Sequence, residues 1–327
     1  MDRLMESLID SFGVSTREEN IKDIIKKQIN LINEEKLLNL DLNEDDMGNI
    51  VVKLGEGTEK LMISTHIDNS GLMITDIDDN GFFKVVPMGS IDLKNISANF
   101  FKSQDGHIGR MGFLKEGSSK DNLFIDFGLS TKENAKDKIK EGDTLELIGH
   151  KIEVENKIIG ANIHSRIACY ILLKVIENIN IKNLNKELYF VFSVQKELGC
   201  KGARLAAVNI KPNSAIVLEA MDSDDTKEGS SKIALDKGTI MSVFDRSLVI
   251  HHKVKETIEE ISKKLNLKLQ YSISDGQNEG GFIHKEVGGI KTGMIAIPCR
   301  YINTSGEMIS LKDVENTISL LNGVIDI

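Results

Sequence analysis

Three short, nearly uninterrupted apolar runs constrain the fold of this chain more than any other feature. They are Leu188 to Val194, Ala215 to Leu218 and Met294 to Ile297. A strand with one solvent-exposed face alternates polar and apolar side chains, whereas a strand covered by helices on both faces is apolar throughout. The runs therefore predict an α/β fold with a mostly parallel central sheet that is flanked by helices.

The segment from residue 71 to residue 155 has a different pattern of apolar and polar residues. Short apolar pieces, such as Leu72 to Thr75 and Phe82 to Val86, are separated by Gly, Asp, Asn and Ser. Such spacing indicates a small β-rich domain. We therefore predict an α/β domain formed by residues 1–70 and 156–327, and a small barrel-like β domain inserted at residues 71–155. A loop is predicted at residues 115–122.

Local signals also predict where several helices and strands begin. Thr16 and Glu19 have the spacing of a capping box before a row of isoleucines, Ser165 is a candidate cap for a helix that ends near residue 178, and the last helix should start at Ser310 with Asp313 as a capping partner. A first strand pair is predicted at residues 48–52 and 60–66.

Composition and charge exclude several classes of protein. With 50 acidic residues, 41 basic residues and no Trp, the chain lacks the basic surface that nucleic-acid binding requires. It has no apolar run of about 18 residues and no signal-peptide core near its start, so no membrane segment is expected. Three scattered cysteines without a CxxC pair fit a reducing cytoplasm. We expect a cytoplasmic location.

Polar side chains follow the predicted strands at the points where these strands end. In open α/β sheets the ligand crevice lies beyond the carboxyl ends of the strands, so these side chains should share one site. A helix that begins near residue 164 should point at the same place. The candidates are His66, Asp68, His164, Lys196, Glu197, Glu219 and Asn303.

Each candidate also has a simpler interpretation when it is taken alone. His66 and Asp68 could be a hydrogen-bonded pair that binds nothing, and His164 could simply begin a helix. Lys196 and Glu197 could form a surface ion pair. The convergence of several elements on one crevice nevertheless favours a functional site.

Six segments, taken in chain order, form a recognisable series. They are Phe12-Gly13-Val14-Ser15, Asp46-Met47-Gly48-Asn49, Thr65-His66-Ile67-Asp68, Asp126-Phe127-Gly128 followed by Glu141-Gly142-Asp143, the stretch from Val194 to Ala203, and Pro298-Cys299-Arg300-Tyr301-Ile302-Asn303. This series resembles the motifs of the tetrahedral aminopeptidase family, the glutamyl and deblocking aminopeptidases. The resemblance covers nearly the whole chain.

The resemblance implies a hydrolase that acts on peptide N-termini with two metal ions and a glutamate as general base. Four positions of this site keep a suitable side chain. His66 matches the ligand of the first metal, and Asp68 would orient it. Glu197 matches the ligand of the second metal, and Glu219 replaces an aspartate ligand of the first metal while still offering a carboxylate.

Three positions of the same site are changed. His164 stands where the resemblance places the aspartate that bridges the two metals, Lys196 stands at the general base, and Asn303 replaces a histidine ligand. An imidazole cannot bridge two cations as a carboxylate does. A charged Lys has no acceptor for a proton, and an amide is a poor zinc ligand.

We therefore expect one divalent metal and not two. His66, His164 and Glu219 could hold it, with zinc favoured and cobalt or manganese as alternatives. Lys196 should form an ion pair with Glu197 or Glu219, because a carboxylate cluster without its second metal needs another cation.

Two functions remain open at this point. The first is a metal-dependent aminopeptidase-family protein that acts on peptide N-termini with altered and weakened hydrolysis. The alternative is a non-catalytic homologue that binds peptide or metal, or a structural subunit of an oligomer. The resemblance also implies self-association, from a dimer up to a dodecamer.

Overall fold

The fold is described from a computed structural model that covers residues 1–91, 93–113, 123–223, 225–226 and 232–326. The loop predicted at residues 115–122 lies outside these described residues. Within them, the α-helices are α1 (Arg3–Asp10), α2 (Glu19–Lys36), α3 (Leu93–Ile96), α4 (Lys132–Lys136), α5 (Ile163–Glu177), α6 (Lys201–Ile210), α7 (His252–Lys264), α8 (Gly280–Ile283) and α9 (Leu311–Ile325).

The strands of the described chain form a large sheet and a closed barrel. The large sheet contains β1 (Asp41–Glu44), β2 (Ile50–Leu54), β3 (Lys60–His66), β10 (Ile152–Val154), β11 (Lys157–Gly160), β12 (Glu187–Ser193), β13 (Ser214–Asp222), β14 (Thr239–Phe244), β15 (Leu269–Ile273), β16 (Lys291–Arg300) and β17 (Glu307–Ser310). The barrel contains β4 (Gly71–Ile77), β5 (Phe83–Met88), β6 (Phe100–Ser103), β7 (Ile108–Phe113), β8 (Leu123–Asp126) and β9 (Thr144–Ile148).

The centre of the large sheet is parallel, as predicted. Its strands lie in the order β1-β2-β12-β3-β13-β16-β17-β11-β10, with β14 and β15 attached beside β16. The four central strands β12, β3, β13 and β16 are parallel to one another, and the outer strands make the sheet mixed. The predicted pair of β2 and β3 is wrong, because β12 lies between them.

Both faces of the central strands are buried, which explains their apolar sequences. On β3, Leu61 and Ile63 belong to the core that includes α2, α5 and α9, whereas Met62 belongs to a second core with α6 and α8. Side chains alternate between the two faces of a strand, so a strand covered on both sides must be apolar at successive positions. The predicted helical flanks on both faces are therefore confirmed.

The inserted segment forms the predicted small barrel. Its strands close in the order β4-β5-β8-β7-β6-β9, and Ile74, Phe83, Phe101 and Met111 are buried in its interior. The barrel strands run from Gly71 to Ile148, and the following strand β10 already pairs with β11 in the large sheet.

Two predicted helix caps are wrong because tertiary contacts use the side chains. Ser165 lies inside α5, which starts after Asn162, and the Ser165 hydroxyl donates a hydrogen bond to the side chain of Asn69. The carboxylate of Asp313 accepts hydrogen bonds from the backbone N–H groups of Asp236 and Gly238 instead of capping α9.

The start of α2 also differs from its prediction. The residue before the helix is Glu18, and Thr16 has a φ of 74°, so no capping box forms. No helix in the described part of the chain is long and apolar enough to cross a membrane.

Candidate active site

The carboxyl ends of the central strands open into a cleft of about 370 Å³. Six of the seven candidate residues line this cleft: His66, His164, Lys196, Glu197, Glu219 and Asn303. The seventh, Asp68, is fully buried and contacts His66. Residues that lie up to 237 positions apart (66 to 303) therefore meet, because four parallel strands end at this edge of the sheet and α5, which carries His164, begins there.

His66 is the last residue of β3, and its ring is held by the turn that follows. Its Nδ1 atom lies 3.0 Å from the backbone oxygen of Asp68 and 3.7 Å from the Asp68 carboxylate. That carboxylate accepts hydrogen bonds from the Ser15 hydroxyl and from the backbone N–H groups of Lys196 and Glu197. Burial opposes ionisation, yet these donors and His66 hold the pKa of Asp68 below its usual value. Asp68 thus fixes both His66 and the Lys196-Glu197 turn.

Lys196 and Glu197 form the predicted ion pair inside the cleft. The Lys196 Nζ atom lies 2.9 Å from Glu197 Oε1, and the Glu197 carboxylate also accepts from the Ser70 hydroxyl at 2.7 Å and from the Ser90 N–H at 3.0 Å. Burial would lower the pKa of Lys196, but Glu219 and Glu197 outweigh it and raise the pKa well above its usual range. Burial would raise the pKa of Glu197, but Lys196 lowers it strongly. Both groups are charged at neutral pH.

His164 lies at the start of α5 and is held by Glu307, a residue that the sequence analysis missed. The Glu307 carboxylate lies 2.8 Å from His164 Nδ1 and accepts the His164 backbone N–H at 2.8 Å. It also accepts the backbone N–H of Asn303 at 2.8 Å. Glu307 follows no apolar run. Its position as the acidic first residue of a short buried strand is the only feature that could have indicated a role in the site.

Glu219 faces a second carboxyl group that the sequence analysis also missed. Its Oε1 atom accepts the backbone N–H of Glu279 at 3.2 Å. The Glu279 side chain is fully buried and accepts from the hydroxyls of Ser64 at 3.1 Å and Ser193 at 2.5 Å. Burial, followed by the charge of Glu219, raises the pKa of Glu279 to about 7. No apolar run precedes Glu279, so its sequence context does not indicate that it lies near the end of a strand.

The donor set does not fit a pair of metal ions. Lys196 places an ammonium group against Glu197, and its charge repels a cation there. His66 and His164 have ring centroids 6.2 Å apart, and each has its Nδ1 engaged by an oxygen, so Nε2 is the remaining nitrogen for a ligand. Across the described ranges, however, no three His, Cys, Asp or Glu side chains are grouped closely enough to hold a metal ion. The predicted trio of His66, His164 and Glu219 lines one cleft without forming a ready-made metal site.

The sheet, the barrel inserted after the strand that carries His66, and the cleft at the strand ends together define an aminopeptidase-like α/β protein. The chain belongs to the M42 glutamyl aminopeptidase family, whose model matches residues 48–320. This family consists of hydrolases that depend on a divalent metal.

Known proteins resemble the chain over almost its full length. It is 31% identical to a putative aminopeptidase of Acetivibrio thermocellus, over 97% of this chain and 96% of the relative. Aminopeptidase APDkam598 from the archaeon Desulfurococcus kamchatkensis is 27% identical with a TM-score of 0.91, covering 99% of this chain and 93% of that structure. The TET1 peptidase of Pyrococcus horikoshii, which can assemble into a tetrahedron or an octahedral shell, shares the fold with a TM-score of 0.84, 23% identity and 98% coverage of both chains.

Proposed function

We propose that this chain binds the N-terminal segment of peptides in the cleft and hydrolyses them weakly or not at all. The Lys196–Glu197 ion pair carries this proposal, because it puts a cation where the resemblance to the family places the general base and beside the ligand of the second metal. The same charge that would attract a second metal to Glu197 is already neutralised within the protein.

The chemistry of Lys196 explains why hydrolysis should be weak. A charged ammonium group has three donors and no acceptor, so it cannot take a proton from an attacking water. The raised pKa of Lys196 keeps it charged throughout the physiological range. Loss of a general base lowers the rate by about 10²–10⁴-fold, and loss of one metal adds to this effect.

The remaining cleft groups suit a peptide N-terminus. The carboxylate of Glu219 offers an acceptor to a ligand ammonium group, and Lys196 has donors left for a peptide carbonyl after it pairs with Glu197. A cleft of about 370 Å³ lies in the size range of small-ligand sites and has room for a short peptide segment.

A second candidate function is a one-metal peptidase. It is favoured by the two imidazoles of His66 and His164, because a ligand His commonly has its other nitrogen bound to a carboxylate or a backbone oxygen, as both do here. With Glu219 these side chains would make a two-histidine, one-carboxylate set for zinc, cobalt or manganese. Such a metal would supply a polarised water or carbonyl, and Asp68 and Glu307 would orient the two rings.

We also propose that the chain self-associates and acts in the cytoplasm. The assembly of the Pyrococcus horikoshii relative into a tetrahedron or an octahedral shell supports self-association. We propose a range from a dimer up to a dodecamer for this chain. The three cysteines are unpaired and buried, which suits a reducing compartment.

The proposal is tested by calorimetric titration with a tripeptide in two forms, one with a free N-terminus and one acetylated. The free form should bind and the acetylated form should bind at least tenfold more weakly, because only the former has an ammonium group. In parallel, turnover of aminoacyl arylamides with zinc, cobalt or manganese should be at least 100-fold below that of an active family member. Equal affinity for both peptides would contradict the binding role, and full turnover would contradict weakened hydrolysis.

A further inference from the structure

A second cavity lies at the opposite ends of the same central strands. Its volume is about 300 Å³, and it is bordered by the first residues of β3, β13 and β16, by α7 and by the end of α9. The cleft described above lies at the carboxyl ends of these strands, so the two sites are separate. The floor of this amino-end pocket is apolar and consists of Leu61, Ile216, Val254, Ile258 and Val324.

Lysines dominate the rim of the amino-end pocket. Lys60, Lys186, Lys253 and Lys291 line it, and Glu59 is the one acid among the described residues that line it, although the chain as a whole carries a net charge of −9. Lys60 already has partners, since its Nζ lies 3.7 Å from Glu187 and 3.2 Å from the Ile210 backbone oxygen. For the other three lysines, no carboxylate of the described chain lies within 4.0 Å. Three lysines therefore line the pocket without a carboxylate within 4.0 Å among the described residues.

The nearby acids do not cancel this positive charge. Burial lowers the pKa of Lys186, and the more distant carboxylates of Glu59 and Asp326 only partly offset this effect. His251 shows the same imbalance, because burial, followed by the charges of its neighbours His252, Lys291 and Lys253, lowers its pKa. An anion placed in the pocket would offset the cost of burying the charge of Lys186 and the repulsion between His251 and its cationic neighbours.

The backbone of α7 adds to this preference. Lys253, Val254, Thr257 and Ile258 of its first two turns line the pocket, and the first turn contains no acidic residue. The N-terminal end of a helix carries a partial positive charge, which attracts anions. The N–H of Lys253 already donates to the His251 ring at 3.3 Å, so the helix contributes through this charge. The lysines of the rim and the N-terminal end of α7 therefore both favour an anion in the pocket.

We propose that the amino-end pocket binds a small organic anion, with its carboxylate or phosphate group among Lys186, Lys253 and Lys291 and an apolar body on the floor. The size of the pocket admits one aromatic ring or a short aliphatic chain with its charged group. The ligand is a different molecule from the peptide that enters the cleft, and it reaches the protein from the other end of the sheet.

The test is a calorimetric titration of the full chain with phenyl phosphate, benzoate, inorganic phosphate and the neutral benzyl alcohol. The double variant Lys253→Gln, Lys291→Gln removes two rim charges. The matched control Lys263→Gln, Lys264→Gln removes two exposed charges at the far end of the same helix. Thermal melts of both variants confirm that each is folded.

At least one aromatic anion should bind the unmodified chain at low salt, and the rim variant should weaken this binding at least tenfold. The control variant should bind as the unmodified chain does, and benzyl alcohol should not bind. If phenyl phosphate binds more tightly than benzoate, the charged group of the ligand is a phosphate; if benzoate binds more tightly, it is a carboxylate. The proposal is overturned if no aromatic anion binds, if both double variants lose affinity equally, or if inorganic phosphate binds as tightly as phenyl phosphate.

Discussion

The ammonium nitrogen of Lys196 lies 2.9 Å from Oε1 of Glu197, inside the cleft at the carboxyl ends of the central strands. The Glu197 side chain is 3% exposed and the Lys196 side chain 21% exposed, so water screens the pair only in part. A buried carboxylate needs a cation, and here the protein supplies that cation itself. Under the function proposed above, the pair leaves the cleft without a general base at Lys196 and neutralises Glu197 without a second metal.

Replacing Lys196 by glutamate should reverse this arrangement. Lys196→Glu puts a carboxylate beside Glu197 and Glu219, so the metal-free protein should lose about 3 kcal/mol of unfolding free energy. Zinc should restore part of this stability, because it relieves the repulsion. Thermal melts with and without zinc provide the measurement, with Lys285→Glu, an exposed site, as the control. Unchanged melting and unchanged zinc affinity in Lys196→Glu would refute the role of the pair.

Glu307 should be important for the stability of the cleft. Glu307→Ala leaves the backbone N–H groups of His164 and Asn303 without their acceptor, which should lower the free energy of unfolding by about 2–4 kcal/mol. Glu307→Gln keeps an acceptor and should recover more than half of this loss. Urea denaturation of the two variants measures the difference. Equal stability of Ala and Gln at this position would show that the carboxylate does not hold the cleft.

Glu18 should make stability depend on pH. Burial, followed by the charge of Asp68, raises its pKa from 4.5 to about 7. Between these values the folded chain holds a proton that the unfolded chain has released, so the free energy of unfolding falls as pH rises through this window. Glu18→Gln removes this titration while keeping an acceptor for the Gln195 N–H, which Glu18 now accepts at 3.1 Å.

The Glu18→Gln variant should therefore be more stable than the unmodified chain at pH 8, by about 1–3 kcal/mol, and similar to it below pH 4.5. Urea denaturation at pH 4.5, 6 and 8 gives the profile. Glu19→Gln changes the exposed neighbour and should leave the pH profile as it is. Parallel profiles for Glu18→Gln and the unmodified chain would refute the raised pKa.

The central sheet and the cleft were predictable because their signals are local. A strand buried on both faces must be apolar at every position, and the polar residue that follows it must lie at the ligand edge of the sheet. This reasoning was sufficient to predict that His66, Glu219 and Asn303 lie in the cleft. An ion pair of Lys196 was also predictable, because a Lys inside a carboxylate cluster should pair with a carboxylate. The sequence left Glu197 and Glu219 open as its partner, and the fold selects Glu197.

The misses share a different cause, which is that long-range contacts decided them. The order of strands in a sheet depends on distant pairing, so β12 could enter between β2 and β3 without any local signal. Ser165 and Asp313 resemble helix caps but bond to distant groups instead. Glu279 and Glu307 follow no apolar run, so only the folded chain shows that they contact the residues that line the cleft.

The number of metal ions bound per chain tests the central claim most directly. Elemental analysis of the purified protein, after incubation with zinc and removal of the free ion, should find at most one zinc per chain in the unmodified protein. The Lys196→Glu variant, measured in the same way, should bind zinc more tightly. Two tightly held zinc ions in the unmodified protein would contradict the account, because the Lys196 ammonium group and a second metal cannot both neutralise Glu197.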